Sequence, residues 1–317
     1  MFFLVDMPIL PAKWAISSSS VVKDELVARS LVASTFVLFL FVCAGAACVA
    51  AFVIWSELKN SFRWAGLLLA FGAGLVAFRF GFQSDISLVN YLGQDVFQKT
   101  VGQFPVADAG VATLKRAIFI DNVVVTFTSA LITVATASLS PRFMHELLNR
   151  AEVLSDSEIL QAVLTLARKV RNLKYLLFAA ATMVFVGLLH TKAWVEWPLA
   201  YFPVINVDPN SGPIYDPTKA DYQAVATAIV NFQAILFVLI LAAVFLPTAI
   251  WLRGAGLSLA AKKVGRSDSE AGNRWLLSEG VLLTAPESAV RFFAIISPFM
   301  APGAVSLIQR FTDLKWT

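Results

Sequence analysis

The feature that most constrains this chain is the gathering of its apolar residues into windows of about twenty, each long enough at 1.5 Å per helical residue to cross a hydrocarbon core of about 30 Å. Five windows stand out: about Leu31 to Trp55, Phe62 to Phe82, Ala117 to Ser140, Tyr175 to Trp194 and Ala224 to Leu252. Hydrocarbon offers no partner to a backbone N–H or C=O, so such windows have to be helices. At 317 residues, 58% hydrophobic and with a mean hydropathy of +0.73, the chain is too apolar for an ordinary soluble domain and too long for one membrane hairpin. The expected fold class is all-α: a polytopic α-helical integral membrane protein with five transmembrane helices. A sixth segment near 291–308 is broken by Pro298, Pro302 and Gly303, and is read in preference as a surface helical hairpin.

Basic residues set the expected orientation. With the amino terminus outside, the inner segments hold Lys59, Arg63, the six Lys or Arg from Arg142 to Lys174, and the eight from Arg253 to Lys315. The outer segments hold Lys13, Lys23, Arg29, Lys99, Lys115, Arg116, Lys192 and Lys219, with Arg79 near the outer end of the second span. The two-to-one bias predicts an N-out, C-in topology. Trp55, Trp64 and Trp251 then fall at inner ends, and Trp194, Trp197, Tyr201 and Tyr222 at outer ends. The pI near 9.1 reflects the inner loops and attraction to anionic lipid, not a nucleic-acid partner.

The domain plan follows from the windows. Residues 1–28 form a tail whose apolar start lacks the basic n-region of a cleaved signal peptide. Residues 29–83 form a transmembrane hairpin, 84–116 an outer amphipathic segment and 117–140 the third span. Residues 141–174 form a cytoplasmic helix leading into the fourth span, opened by the capping box of Ser155 and Glu158. Its expected apolar face is Leu160, Val163, Leu164, Ala167, Val170 and Leu173. Spans four and five occupy 175–252 with an outer loop at 195–223, and 253–317 completes a small helical cytoplasmic layer. In the outer loop, Asp208, Asn210, Asp216 and Asp221 match no EF-hand spacing and read first as turn residues, with a divalent cation the lesser reading.

The third window carries a polar stripe: Asn122, Thr126, Ser129, Thr133, Thr136 and Ser140 recur at steps of three and four. On a helix they share one face, which predicts either a polar pathway, joined by Asn231 of the fifth span, or hydroxyls bonded back to carbonyls one turn earlier. Asp121 at its outer end is read either as a cation site or as a carboxylate at headgroup depth near a helix amino terminus. Arg79 is its alternative ion-pair partner. In the second window Gly66, Ala70 and Gly74, flanked by Ala73, Ala77 and Gly81, make a small-residue face for close helix packing. Cys43 and Cys48, five residues apart on one helix, are not expected to form a disulfide.

Catalytic chemistry has no signature here. There is no phosphate loop, GxSxG, HExxH or CxxC, and His145 and His190 are expected at opposite ends of the spans, with His190 interfacial. No catalytic residue, cofactor or metal site is expected. The leading functional expectation is a non-enzymatic, channel-like homo-oligomer with a pathway along the third span. The alternatives are an accessory or scaffold subunit bound to other membrane subunits, then a secondary transporter or membrane enzyme. Compact loops without an N-x-S/T sequon point to a plasma membrane, the bacterial inner membrane in particular.

Overall fold

The computed structural model describes residues 19–81, 107–139, 156–201, 204–205, 214–215, 217–264 and 269–279. In chain order these form α1 (Ser19–Glu57), α2 (Asn60–Gly81), α3 (Ala107–Ser138), α4 (Asp156–Glu196), a 3-10 turn (Trp197–Tyr201), strands β1 (Val204–Ile205) and β2 (Ile214–Tyr215), α5 (Pro217–Val264) and α6 (Ser269–Ser278). The only sheet among the described residues is the antiparallel pairing of Val204 with Tyr215 and Ile205 with Ile214. Four helical stretches are long and apolar enough to cross a membrane: Val27–Glu57, Phe119–Ser138, Ser157–Ala200 and Tyr222–Lys263. Phe62–Val76 of α2 is a shorter apolar stretch. The chain is a multi-pass helical membrane protein.

Helix ends follow local chemistry. Leu58 N–H donates to Ile54 C=O as the last bond of the α1 ladder, and both Phe62 and Arg63 N–H donate to Lys59 C=O, starting α2 almost without a loop. The segment before the fourth apolar window and the window itself form one helix of 41 residues, α4. α5 runs through Pro247 without a break, over 48 residues. α3 begins at Ala107, ten residues before the expected start of the third span. The segments 84–106, 140–155 and 280–317, with Ser140, His145 and the broken stretch 291–308, lie outside the described residues.

The contacts divide the chain into two compact units. The first comprises Met1–Phe41, Leu75–Val124 and Val186–Gln233. Its core joins Ala28 and Val32 of α1 to Ala193, Trp194 and Val195 of α4, Trp197 of the following turn, and Tyr222, Ala226 and Ile229 of α5. The Tyr222 hydroxyl donates to the Val195 carbonyl at 2.8 Å, tying the start of α5 to the end of α4.

The second unit comprises Val42–Gly74, Val125–Phe185 and Ala234–Thr317. Val53 and Ile54 of α1, Leu131, Ala135 and Leu139 of α3, and Val163, Leu166, Val170 and Leu176 of α4 are buried in it. α2 enters through its small residues. A methyl group added at Gly66 would lie 2.9 Å from Val134 Cγ1, one at Gly74 would lie 3.4 Å from Phe127 Cβ, and Ala70 between them is fully buried. The face therefore receives α3, and dispersion at close approach replaces the hydrophobic drive that lipid cannot supply. Ala73 is half-buried, while the side-chain surroundings of Ala77 and Gly81 lie outside the described residues. α6 folds back on α5, so closely that a methyl group added at Gly272 would lie 3.3 Å from Ala260 Cβ.

The buried face of α4 differs from the expected one. Ile159, Ala162, Val163, Leu166, Val170 and Leu173 are buried, whereas Leu160 and Leu164 are 56% and 61% exposed. The true seam is rotated and also accommodates the polar Lys169 and Asn172.

Close approach at Gly66 makes a clear expectation. Gly66→Ile should drive a branched side chain into Val134 and destabilise by about 1 to 3 kcal/mol, whereas Gly72→Ala, with open space around it, should be neutral or gain up to about 1 kcal/mol from helix propensity. Thermal unfolding of both variants in one detergent checks this.

Candidate functional site

Asp121 is fourteen residues beyond the start of α3 at Ala107, so it is about four turns from the helix amino terminus and outside the reach of its dipole. The dipole of the helix amino terminus therefore does not account for this carboxylate. Asp121 is buried, and its Oδ2 lies 2.9 Å from Nε2 of His190 on α4. His190, expected at the interface, is likewise buried. Arg79, the alternative partner, is exposed on α2.

The other face of the imidazole meets α1. His190 Nδ1 is 3.1 Å from the Thr35 hydroxyl. That hydroxyl lies 2.9 Å from the Leu31 carbonyl oxygen and 3.0 Å from that of Val32, the usual back-bonding of a helical threonine. A hydroxyl has one proton. With it directed to those carbonyls, the Thr35 oxygen accepts from His190 Nδ1–H. The contact between Nε2 and Asp121 Oδ2 can then hold a single proton, either on a carboxyl facing a neutral ring or on an imidazolium facing a carboxylate. Both forms are net neutral. The reverse arrangement, with Thr35 donating to Nδ1 and Nε2–H donating to a carboxylate, leaves an unbalanced negative charge inside the span, which low polarity penalises heavily.

Aromatic rings pack against the imidazole. Phe39 stacks on His190 with centroids 6.0 Å apart and planes 18° from parallel, and Phe36 lies tilted at 5.9 Å. Phe39 reaches this position over Gly187, one turn before His190, where an added Cβ would meet Phe39 Cε2 at 3.0 Å. Phe119, two residues before Asp121, meets Phe78 of α2 edge-on at 5.0 Å. One polar atom is left over: Asp121 Oδ1 is buried with no hydrogen-bond partner among the described residues.

The stripe residues do not share one environment. Asn122 and Thr133 are exposed, Thr126 and Ser129 half-buried and Thr136 buried. The Thr133 hydroxyl donates to the Ser129 carbonyl at 2.8 Å, while the Thr136 hydroxyl has no partner among the described residues. Thr128, outside the stripe, is 1% exposed. Asn231 is half-buried on α5, and Ser140 lies outside the described residues. Of the outer-loop residues, Asp208, Asn210 and Asp216 also lie outside them. No group of three or more His, Cys, Asp or Glu able to hold a metal occurs among the described residues.

A second buried ionic cluster lies in the other unit, on residues that belong to no motif or stripe in the sequence. Glu57, in the polar link after the first apolar window, has a side chain only 2% exposed. Its Oε2 is 3.3 Å from Lys169 Nζ, and its Oε1 is 3.3 Å from Arg168 Nε and accepts from Asn172 Nδ2 at 3.0 Å. Lys169 also donates to the Leu139 carbonyl at 3.3 Å, near the end of α3. One carboxylate thereby joins α1 to α4, and Lys169 carries the link to α3. The signal available in the sequence is Lys169 and Asn172, three residues apart, set among Leu166, Val170, Leu173 and Leu176.

No protein-family model, curated protein or solved structure matches the chain.

Glu57→Leu should cost about 3 to 5 kcal/mol, because it strands the Lys169 ammonium in a buried seam. Arg168→Gln should cost less than about 1 kcal/mol, since that side chain is half exposed. Denaturant titration followed by tryptophan fluorescence separates the two.

Proposed function

We propose that this is a five-span plasma-membrane protein, N-out and C-in, of the bacterial inner-membrane kind, that carries protons, alone or coupled to a solute, through the Asp121–His190 pair. The observation that carries this reading is a carboxylate and an imidazole buried on apolar helices with Oδ2 and Nε2 2.9 Å apart, and the second carboxylate oxygen buried beside them without a hydrogen-bond partner among the described residues. Ionisable groups at such positions are costly to keep, and paired Asp and His side chains inside a membrane are the material of proton relays. The chemistry needs little motion. A proton arriving at Oδ1 makes a carboxylic acid there, and the proton held between Oδ2 and Nε2 moves fully onto the ring. Rotation of the carboxyl or of the ring then separates the two sites. Thr35 sets which imidazole nitrogen faces Asp121, and Phe36 and Phe39 keep bulk water from bypassing the exchange.

The purified protein reconstituted in vesicles with an entrapped pH dye should dissipate an imposed pH gradient. Asp121→Asn and His190→Gln, each eluting as a single species with unchanged helicity, should slow the relaxation by about 100-fold, the scale on which positioned acid–base groups act. Relaxation of the Asp121→Asn vesicles at the unmodified rate sinks the proposal and leaves the pair a structural contact.

A second reading, a conducting path between copies of the chain along α3, is favoured by the exposure of Asn122 and Thr133 among apolar neighbours. It requires water at that face. Cysteine at position 126 or 133 should then react with a membrane-impermeant thiol reagent in native membranes, and protection of both removes this reading.

A further inference from the structure

In the second unit, the place where α1 ends and α2 begins carries a concentration of positive charge that proton movement at Asp121 does not require. Arg63 donates from Nε to the Leu58 carbonyl at 2.6 Å, and its guanidinium carbon lies 4.8 Å from the centre of the Trp55 ring. Arg168, from α4, lies with its Nε 3.3 Å from Glu57 Oε1. Two arginines from different helices are thus held through the same nitrogen, by consecutive residues Glu57 and Leu58. In each, the edge formed by the two terminal nitrogens is the one that matches a phosphate bidentately.

The charge around them is unbalanced. Lys59, Arg171 and Lys174 are exposed nearby in sequence, and Glu57, the carboxylate the cluster is built on, is already shared with buried Lys169. Exposed aromatics accompany them: Trp55 at 52%, Trp64 at 58% and Tyr175 at 56%. Exposed Trp and Tyr beside basic residues at the end of apolar spans mark headgroup depth. Along the same helices the exposed surface becomes purely apolar, at Phe52 on α1, Leu68 on α2 and Phe178 on α4. A phosphate held by the arginines would therefore have acyl-compatible surface along the helices that carry them.

We infer that this corner is a binding site for the headgroup of an anionic phospholipid. Arg63 and Arg168 grip the phosphate, Lys59 and Arg171 add attraction, and the chains lie along Phe52 and Phe178. The site differs from general attraction of a basic surface to lipid because both guanidinium groups are already fixed by contacts within the protein. Less side-chain freedom is lost on binding, and the fixed forks discriminate between headgroups. An inorganic phosphate offers the same oxygens but nothing to the apolar surface.

The test uses the full chain released from nanodiscs of phosphatidylcholine mixed with phosphatidylglycerol, with retained lipid read by native mass spectrometry. The unmodified protein should retain phosphatidylglycerol over phosphatidylcholine. Arg63→Gln with Arg168→Gln should lower that preference about tenfold or more, as expected for losing two charge-assisted contacts, whereas Lys262→Gln with Lys263→Gln should leave it unchanged. Should the glutamine pair fail to fold, Arg63→Lys with Arg168→Lys keeps the charge, removes the planar forks and should still lose most of the preference. The inference is overturned if either arginine variant retains phosphatidylglycerol like the unmodified protein. It is equally overturned if the Lys262 and Lys263 changes reduce retention as much, or if inorganic phosphate displaces the lipid.

Discussion

Hydrocarbon accepts no hydrogen bonds, and the arrangement of this bundle depends on that constraint. Every backbone group in the spans is satisfied by helix formation, and polar side chains must then find partners on neighbouring helices or on their own carbonyls. Thr133 takes the local solution and bonds back to Ser129. Asp121 and Glu57 take the other, and each fixes helices to one another. In the first unit, Asp121 and His190, with Thr35, connect α3, α4 and α1. In the second, Glu57, Lys169 and the Leu139 carbonyl connect α1, α4 and the end of α3. The same three helices, α1, α3 and α4, supply both sets, and 56% of the most apolar stretch of α4 is buried, against 17% for α5.

Small residues make these connections possible. Lipid tails are as apolar as leucine, so helices gain little by hiding leucines from lipid and gain more by approaching closely. Gly66 and Gly74 let α2 lie against α3, and Gly187 lets the Phe39 ring pass close enough to α4 to cover His190. In the second case packing has a direct chemical consequence, because an aromatic cover lowers the local polarity around the Asp121–His190 pair and strengthens each electrostatic contact within it. The two buried ionic clusters differ in kind. Among the described residues the Glu57 carboxylate has three partners and so resembles a structural tie, whereas Asp121 has one partner and an oxygen to spare.

Several features were legible along the chain. Apolar window length is a one-dimensional property, and it predicted a helical multi-pass protein; apolar periodicity extended the fourth helix back into the segment before its window, as one helix. Asp121 was also visible, since a carboxylate inside an apolar helix stands out on any hydropathy reading. Its partner was not. His190 sits near the end of the fourth window, where an interfacial position explains it equally well, and only its contacts with α1 and α3 show it buried between helices. Glu57 was hidden for a related reason: in a polar link beside Lys59 and Asn60, a charged residue attracts no notice.

The amino-acid sequence by itself determined the class of fold, because the cost of an unsatisfied peptide group in hydrocarbon leaves a long apolar segment one local conformation. It also determined which helices carry polar side chains. Tertiary structure alone decided which of those side chains meet. Periodicity assigns a residue to a face of its own helix, but the rotation of that helix is set by packing against its neighbours. A rotation of α4 that exposes Leu160 and Leu164 is the same rotation that buries Lys169 and Asn172 against Glu57. In the same way Asp121 and His190, 69 positions apart in the chain, become partners only because α3 and α4 turn those faces toward each other.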